Sequence, residues 1–89
     1  MHPETAAELI YTFAEPMRGP DGTLYDIQVY GRARSDGTWE GWLAFSNPVA
    51  GTLRTERETT QSSAEQVLYW ATGLEPTYLE GAFARARRN

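Results

Sequence analysis

The amino-acid sequence contains no cysteine and no lysine, and its single histidine is His2. Without cysteine, neither disulfide bonds nor thiolate metal sites can form. Without lysine or a second histidine, Schiff-base chemistry and Ser-His or Cys-His nucleophiles lack their usual side chains, and His2 itself is expected to be unstructured. The sequence therefore predicts no catalytic residue, no metal site and no cofactor. A carboxylate pair for acid-base chemistry stays an alternative, because there are twelve acidic residues.

Positive charge and long hydrophobic runs are also scarce. Eight arginines face twelve acidic residues, for a formal charge of −4, which disfavours nucleic acid as a partner. No apolar run approaches membrane-spanning length, and no basic-then-apolar signal pattern is present. We therefore expect a soluble cytoplasmic protein with no membrane partner. Its use of arginine without lysine is typical of a GC-rich bacterial genome. The 89 residues predict one domain over 1–89, frayed at 1–7 and 87–89.

Two Asp-Gly turns set the predicted strand register. Pro20-Asp21-Gly22 and Ser35-Asp36-Gly37 each fit a three-residue hairpin loop that ends in a left-handed glycine. Only this loop length keeps the apolar side chains together, because a slip of one residue moves every side chain to the opposite face. The second loop places Ala33–Trp39, Gly31–Gly41, Val29–Leu43 and Ile27–Phe45 on one face, and Arg32–Glu40, Tyr30–Trp42 and Gln28–Ala44 on the other.

The first loop extends the sheet toward the start of the sequence. It pairs Gly19 with Thr23, and continued regularly it predicts the pairs Met17–Tyr25, Phe13–Val29, Tyr11–Gly31 and Leu9–Ala33. Pro16 then lies within a strand, which is tolerated only at a sheet edge. A helix over residues 6–14 is the alternative, because Thr5 and Glu8 resemble a capping box. The strand-prone run Ile10–Phe13 favours the strand, but the alternative stays open.

The remaining segments complete an α+β fold. Thr52–Thr59 alternates as a fourth strand that directs Leu53, Thr55, Arg57 and Thr59 to one side. Ser62 and Glu65 form a capping box for a helix that ends at Gly73, and Pro76 opens a second helix. Both helices have an apolar stripe. The prediction is a four-stranded antiparallel meander with two C-terminal helices packed on one face, ββββαα.

The sheet face away from the helices is the first candidate binding site. There Tyr30 and Trp42 form a cross-strand aromatic pair flanked by Arg32 and Glu40. Exposed tryptophan beside arginine is typical of an interface anchor, and homodimerisation is the simplest way to cover it. The alternative interpretation is an aromatic pair that only shields the backbone, beside a weak surface ion pair.

A second candidate site lies at the end of the fourth strand, where Arg57, Thr59 and Gln61 precede the helix. Arg57 alternates in phase with Leu53 and should point toward the helices. It needs a partner there, and we expect it to reach an acidic residue of the second helix region, Glu75 or Glu80. On the same face the facing residues Gly31 and Gly41 lack side chains and leave a depression in the sheet surface, here called the dent. Trp70 or Phe83 is expected to fill it.

Two resemblances bear on function. The stretches SDGTWEGWLAF, NPVAG and TERETTQSSAEQ resemble HicB-type antitoxin domains, which implies binding to a small toxin, although a basic DNA-binding extension is lacking. The block RETTQ…LYWATGLEPTYLEGAF is similar to small bacterial single-domain proteins of unassigned function. We therefore expect a non-enzymatic module that binds a protein partner or forms a homo-oligomer. A HicB-like antitoxin and a small-molecule-binding domain at the strand end are the alternatives.

Overall fold

The chain folds as an antiparallel sheet with two helices packed on one face, as predicted from the sequence, but the sheet contains more than four strands. The computed structural model describes residues 6–88. The elements are β1 Glu8–Thr12, β2 Met17–Arg18, β3 Leu24–Ala33, β4 Trp39–Asn47, β5 Gly51–Arg54, β6 Thr59–Gln61, α1 Ala64–Thr72, α2 Pro76–Arg85 and β7 Arg87–Arg88. The strand order across the sheet is β1-β3-β4-β5-β7, with β2 beside β3 and β6 beside β4.

The hairpin of β3 and β4 has the predicted register throughout. Gly31 lies opposite Gly41, Tyr30 opposite Trp42 and Ala33 opposite Trp39. The turn accounts for this register, because the Asp36 carboxylate accepts from the backbone N–H of Thr38 at 3.0 Å and Gly37 has a φ of 88°. That left-handed backbone closes the three-residue loop and is adopted by glycine at little cost.

The first hairpin has the predicted register only near its loop. Met17 pairs with Tyr25, but the predicted pairs Phe13–Val29, Tyr11–Gly31 and Leu9–Ala33 are wrong. The chain leaves the sheet between Phe13 and Met17, so Pro16 lies between two short strands instead of inside one.

Beyond this break the first strand has a different register. Tyr11 pairs with Val29 and Leu9 with Tyr30, with a bulge between them. The bulge places one extra residue, Ile10, in β1 and moves Leu9 to the side of Tyr30. Residues 8–12 nevertheless form a strand and not a helix, which resolves the alternative left open by the sequence.

The predicted fourth strand is divided into β5 and β6. Leu53 pairs with Phe45, and the backbone N–H of Thr55 donates to Leu43 at 2.9 Å. Gly41, two residues before Leu43, then pairs with Thr59, so the segment 56–58 contains two residues more than a regular ladder would. We call residues 56–58 the insertion. Because two extra residues preserve the alternation, the sequence pattern alone cannot distinguish one long strand from two short ones.

Both helices form where the sequence predicts them, with one shift at a cap. The side chain of Ser63, and not Ser62, caps α1 by accepting from the N–H of Gln66 at 3.2 Å. Gly73 ends α1, and Pro76 is the first residue of α2. Within residues 6–88 neither helix has the length and apolar character that crossing a bilayer requires.

The hydrophobic core lies between the sheet and the helices. Val29, Leu43 and Phe45 from the sheet pack with Val67 and Ala71 of α1, and all five side chains are fully buried. Leu79 and Ala82 of α2 extend the same core.

The dent made by the two facing glycines is filled, but not by Trp70 or Phe83 as the sequence suggested. A Cβ atom at Gly41 would lie 2.9 Å from Val67 Cγ1, and one at Gly31 would lie 3.2 Å from Ile10 Cγ1. The two glycines therefore let α1 and the β1 bulge approach the sheet closely.

Candidate functional site

The side of the sheet that faces away from α1 and α2, here called the outer face, carries the first predicted site. The register of β3 and β4 brings Tyr30 beside Trp42 and Arg32 beside Glu40 on this face. The four residues predicted as a cluster are therefore neighbours.

Trp42 is more enclosed than the sequence suggests. Its exposed fraction is 4%, although it lies on the outer face and not beneath the helices. The Arg54 guanidinium lies 4.4 Å from the centre of its ring and the Arg32 guanidinium 5.3 Å, while the Tyr30 ring stacks beside it with the centroids 6.4 Å apart. The expectation of an exposed tryptophan that needs a partner is thus wrong, because the alkyl chains and guanidinium groups of arginine cover it.

Arg32 and Glu40 form a closed pair. The Arg32 side chain donates from Nε at 3.0 Å and from Nη2 at 2.7 Å to the same oxygen, Oε2 of Glu40. The side chains are 37% and 18% exposed. At this exposure the pair contributes only about 0–1 kcal/mol to stability, and it leaves little charge free for a ligand.

Arg54 and Arg87 place two further cations on the outer face. They lie directly opposite each other across β5 and β7, and cross-strand partners share one side of a sheet. The Arg54 guanidinium donates from Nε to the backbone oxygen of Thr55 at 3.2 Å, which holds it over Trp42. No sequence signal marked either residue as part of the site, because Arg87 falls in a segment expected to fray and the strand β7 has no pattern of its own.

A shallow groove of about 320 Å³ lies beside the aromatic pair on the outer face. Two exposed leucines, Leu9 at 55% and Leu24 at 45%, belong to the same face, since Leu9 pairs with Tyr30 and Leu24 alternates with buried Tyr25. The lining of the groove consists of Ala7, Gln28, Tyr30, Trp42, Ala44, Ser46, Thr52 and Arg54. The groove therefore has an apolar floor, a polar side and one cation at its edge.

The second predicted site, at the strand end, is only partly assembled. Gln61 donates from Nε2 to Thr59 Oγ1 at 2.7 Å, so these two side chains are neighbours. Arg57 is exposed within the insertion, and within residues 6–88 it forms no ion pair with Glu75 or Glu80, in contrast to the expectation. The extra residues of the insertion take the chain out of the ladder there, so alternation no longer sets the direction of its side chain.

The residue that the insertion does direct toward the helices is Glu58. Its carboxylate accepts from the Tyr78 hydroxyl at 2.5 Å and from Nη2 of Arg85 at 2.6 Å, and only 10% of its side chain is exposed. We call these three residues the Glu58 cluster. Alternation along a continuous strand assigned Glu58 to the opposite side, so no sequence signal pointed to the cluster.

The electrostatics of the Glu58 cluster suit a structural link and not proton transfer near neutral pH. Burial raises the pKa of Glu58, but the hydrogen bonds from Arg85 and Tyr78 outweigh it and hold that pKa below its ordinary value of 4.5. Burial, together with the neighbouring carboxylate, raises the pKa of Tyr78 from 10.0 to about 12. A carboxyl that stays ionised and a phenol that stays protonated are poorly matched to acid-base work.

Comparisons with known proteins give no relative on which to base a function. No family model, no curated protein and no solved structure matches this chain. Within residues 6–88, acidic and histidine side chains form no group of three or more that could hold a metal ion. The resemblance to HicB-type antitoxins stays a prediction.

Proposed function

We propose that this protein is a non-enzymatic binding module that engages a protein, either a different chain or a second copy, through the outer face of its sheet. The observation that carries the proposal is the groove beside Tyr30 and Trp42, on a face that also carries the exposed side chains of Leu9 and Leu24. Apolar and aromatic surface next to arginine is the composition typical of protein interfaces.

The position of the helices supports this choice of face. Both helices pack on the opposite side, where their buried residues join the core, so they cover the other side of the sheet. In a two-layer α+β domain the uncovered face of an antiparallel sheet is free for solvent or for a partner.

The experiment compares two matched tyrosine substitutions. Trp42 is unsuitable because it is buried, and its removal would disturb folding. Tyr30→Ser changes the groove, whereas Tyr69→Ser removes an exposed tyrosine, 77% accessible, from α1. We expect wild type and Tyr69→Ser either to self-associate in sedimentation equilibrium or to capture the same protein from a lysate of the source cells. Tyr30→Ser should lose that association.

A captured protein supports the proposal only after it is purified and shown to bind wild type directly. A monomeric wild type whose captured proteins are unchanged by Tyr30→Ser would contradict the proposal. Urea unfolding of both variants is the control for folding, because a partly unfolded Tyr30→Ser would lose binding for an unrelated reason.

A further inference from the structure

We propose that the ligand of the outer face is an acidic, partly apolar segment of another protein, whose carboxylate binds between Arg54 and Arg87 while a small apolar side chain enters the groove. This inference rests on the proposed function and names the chemistry of the partner.

The position of the two arginines favours an anionic ligand. Arg54 and Arg87 face each other across β5 and β7, and like charges directly opposite on neighbouring strands destabilise a sheet. Within residues 6–88 the ion pairs of the structure involve other arginines, namely Arg32, Arg34 and Arg85. A carboxylate between Arg54 and Arg87 removes the repulsion and gains charge-assisted hydrogen bonds from both.

Arg54 is already held in place, which favours binding of a ligand to it. Its guanidinium stacks 4.4 Å from the centre of the Trp42 ring, and its Nε donates to the Thr55 oxygen. The hydrogen bonds of the described residues use this Nε and leave the two terminal nitrogens for a ligand. Arg32 differs, since its Nε and one terminal nitrogen, Nη2, already donate to Glu40. A planar guanidinium fixed before binding loses little side-chain freedom when it meets a carboxylate.

The groove next to Arg54 offers space for an apolar side chain of the ligand. Ala44, Tyr30 and Trp42 give it an apolar floor, while Gln28 and Ser46 supply hydrogen-bonding groups. At about 320 Å³ it is at the small end of ligand sites. A short peptide with an apolar side chain next to an acidic one fits both the volume and the adjoining charge.

Two other partners fit these observations less well. Nucleic acid demands a broad cationic surface, but the chain has a formal charge of −4, and this part of the outer face offers Arg54 and Arg87, which form no ion pair within residues 6–88. A symmetric dimer through this patch needs a self-complementary surface. Arg54 and Arg87 instead carry charge of the same sign, while Glu40 is already engaged by Arg32.

The test is an NMR titration of the isotope-labelled protein. The probe is the blocked peptide Glu-Ala-Glu-Val-Glu, and the matched control is Gln-Ala-Gln-Val-Gln. We expect the acidic peptide to shift the Trp42 indole N–H and Arg54 Nε–H signals in a saturable way, more weakly as salt is added. The glutamine peptide should leave both signals in place.

Charge-removing variants locate the site. Arg54→Gln and Arg87→Gln should each weaken binding roughly ten-fold, because each loses a charge-assisted hydrogen bond. Arg18→Gln is the control, since it makes the same change in net charge at an exposed arginine whose side chain instead donates to the Gly22 oxygen. A cooperative urea transition shows that each of the three variants is folded, and the midpoint of Arg54→Gln should be the lowest because it removes the guanidinium from the Trp42 ring.

The inference is overturned if the two peptides bind equally, if the acidic peptide does not bind, or if Arg18→Gln weakens binding as much as Arg54→Gln and Arg87→Gln do. Tighter binding of oligouridylate than of the acidic peptide at the same salt would also overturn it. Shifts of the outer-face signals with protein concentration alone would assign the face to a second copy and also overturn it. If the acidic peptide fails while Tyr30→Ser still abolishes association, only the ligand is wrong. If both fail, the proposed function fails with it.

Discussion

Tyr78 of α2 donates a hydrogen bond to the carboxylate of Glu58, a residue of the insertion between β5 and β6. This contact joins an irregular part of the sheet to a helix twenty residues later in the chain. Arg85, nearly two turns further along α2, holds the same carboxylate. The insertion and α2 are therefore fixed to each other by one anionic side chain.

Replacing Glu58 should destabilise the fold. Glu58→Gln removes the charge that Arg85 and the Tyr78 hydroxyl bind, and loss of hydrogen bonds to a largely buried charged group costs about 2 kcal/mol. Glu56→Gln is the matched control, because Glu56 is exposed two residues away and should change stability by less than about 0.5 kcal/mol. Urea unfolding measures both, and equal effects would show that the Glu58 cluster does not act as a link.

The same carboxylate predicts how stability falls in acid. The pKa of Glu58 is lowered in the folded protein, so its contribution is fully present above the ordinary value of 4.5 and is lost as the pH falls through the folded pKa. The stability difference between wild type and Glu58→Gln should therefore shrink between neutral pH and strongly acidic solution. A difference that stays constant over this range would contradict the lowered pKa.

At alkaline pH the partner residue should titrate. The pKa of Tyr78 is raised to about 12, so the stability from its protonated hydroxyl is fully present below the ordinary value of 10.0 and is lost as the pH rises through about 12. Ultraviolet absorbance of tyrosinate, compared between wild type and Tyr78→Phe, isolates this group. If the tyrosine that is absent from the titration of Tyr78→Phe is one that ionises near 10.0 and not near 12, the raised pKa of Tyr78 is wrong.

Turn chemistry explains which parts of the fold the sequence predicts well. Asp36 and Gly37 determine a loop of one length, and that length determines every pair along β3 and β4. The helix boundaries at Gly73 and Pro76 are likewise local, because each depends on one residue's backbone preference. Ser62 and Ser63 are adjacent and chemically alike, so the cap differed by one position.

The parts that sequence did not predict depend on contacts between distant segments. The bulge at Ile10 places an apolar side chain over Gly31, and the insertion brings Glu58 to α2. Neither feature can be detected from the local sequence, since bulges have no fixed composition and two extra residues keep the alternation of the strand intact. The burial of Trp42 was missed for the same reason, because its cover comes from Arg54 on another strand.

The close approach of α1 to the sheet gives a packing prediction. A Cβ at Gly41 would lie 2.9 Å from Val67 Cγ1 and 3.1 Å from Thr59 Cγ2, and Val67 is fully buried. Gly41→Ala should therefore cost about 1–3 kcal/mol through overpacking. Gly73→Ala is the control, because its nearest such contact is 3.7 Å and its φ is −94°. Thermal or urea unfolding that shows equal changes would contradict the tight contact at Gly41.

The cover over Trp42 gives the last prediction. Arg54→Ala removes the guanidinium that lies 4.4 Å from the centre of the Trp42 ring, and with it the packing of the alkyl chain. We expect a loss of about 0.5–2 kcal/mol and a shift of the Trp42 indole N–H signal in NMR spectra. Arg57→Ala, which changes an exposed arginine three residues later, should leave both unchanged. An unshifted Trp42 signal in Arg54→Ala would mean that the arginine does not cover the ring in solution, and the outer face would then present the open tryptophan that the sequence first suggested.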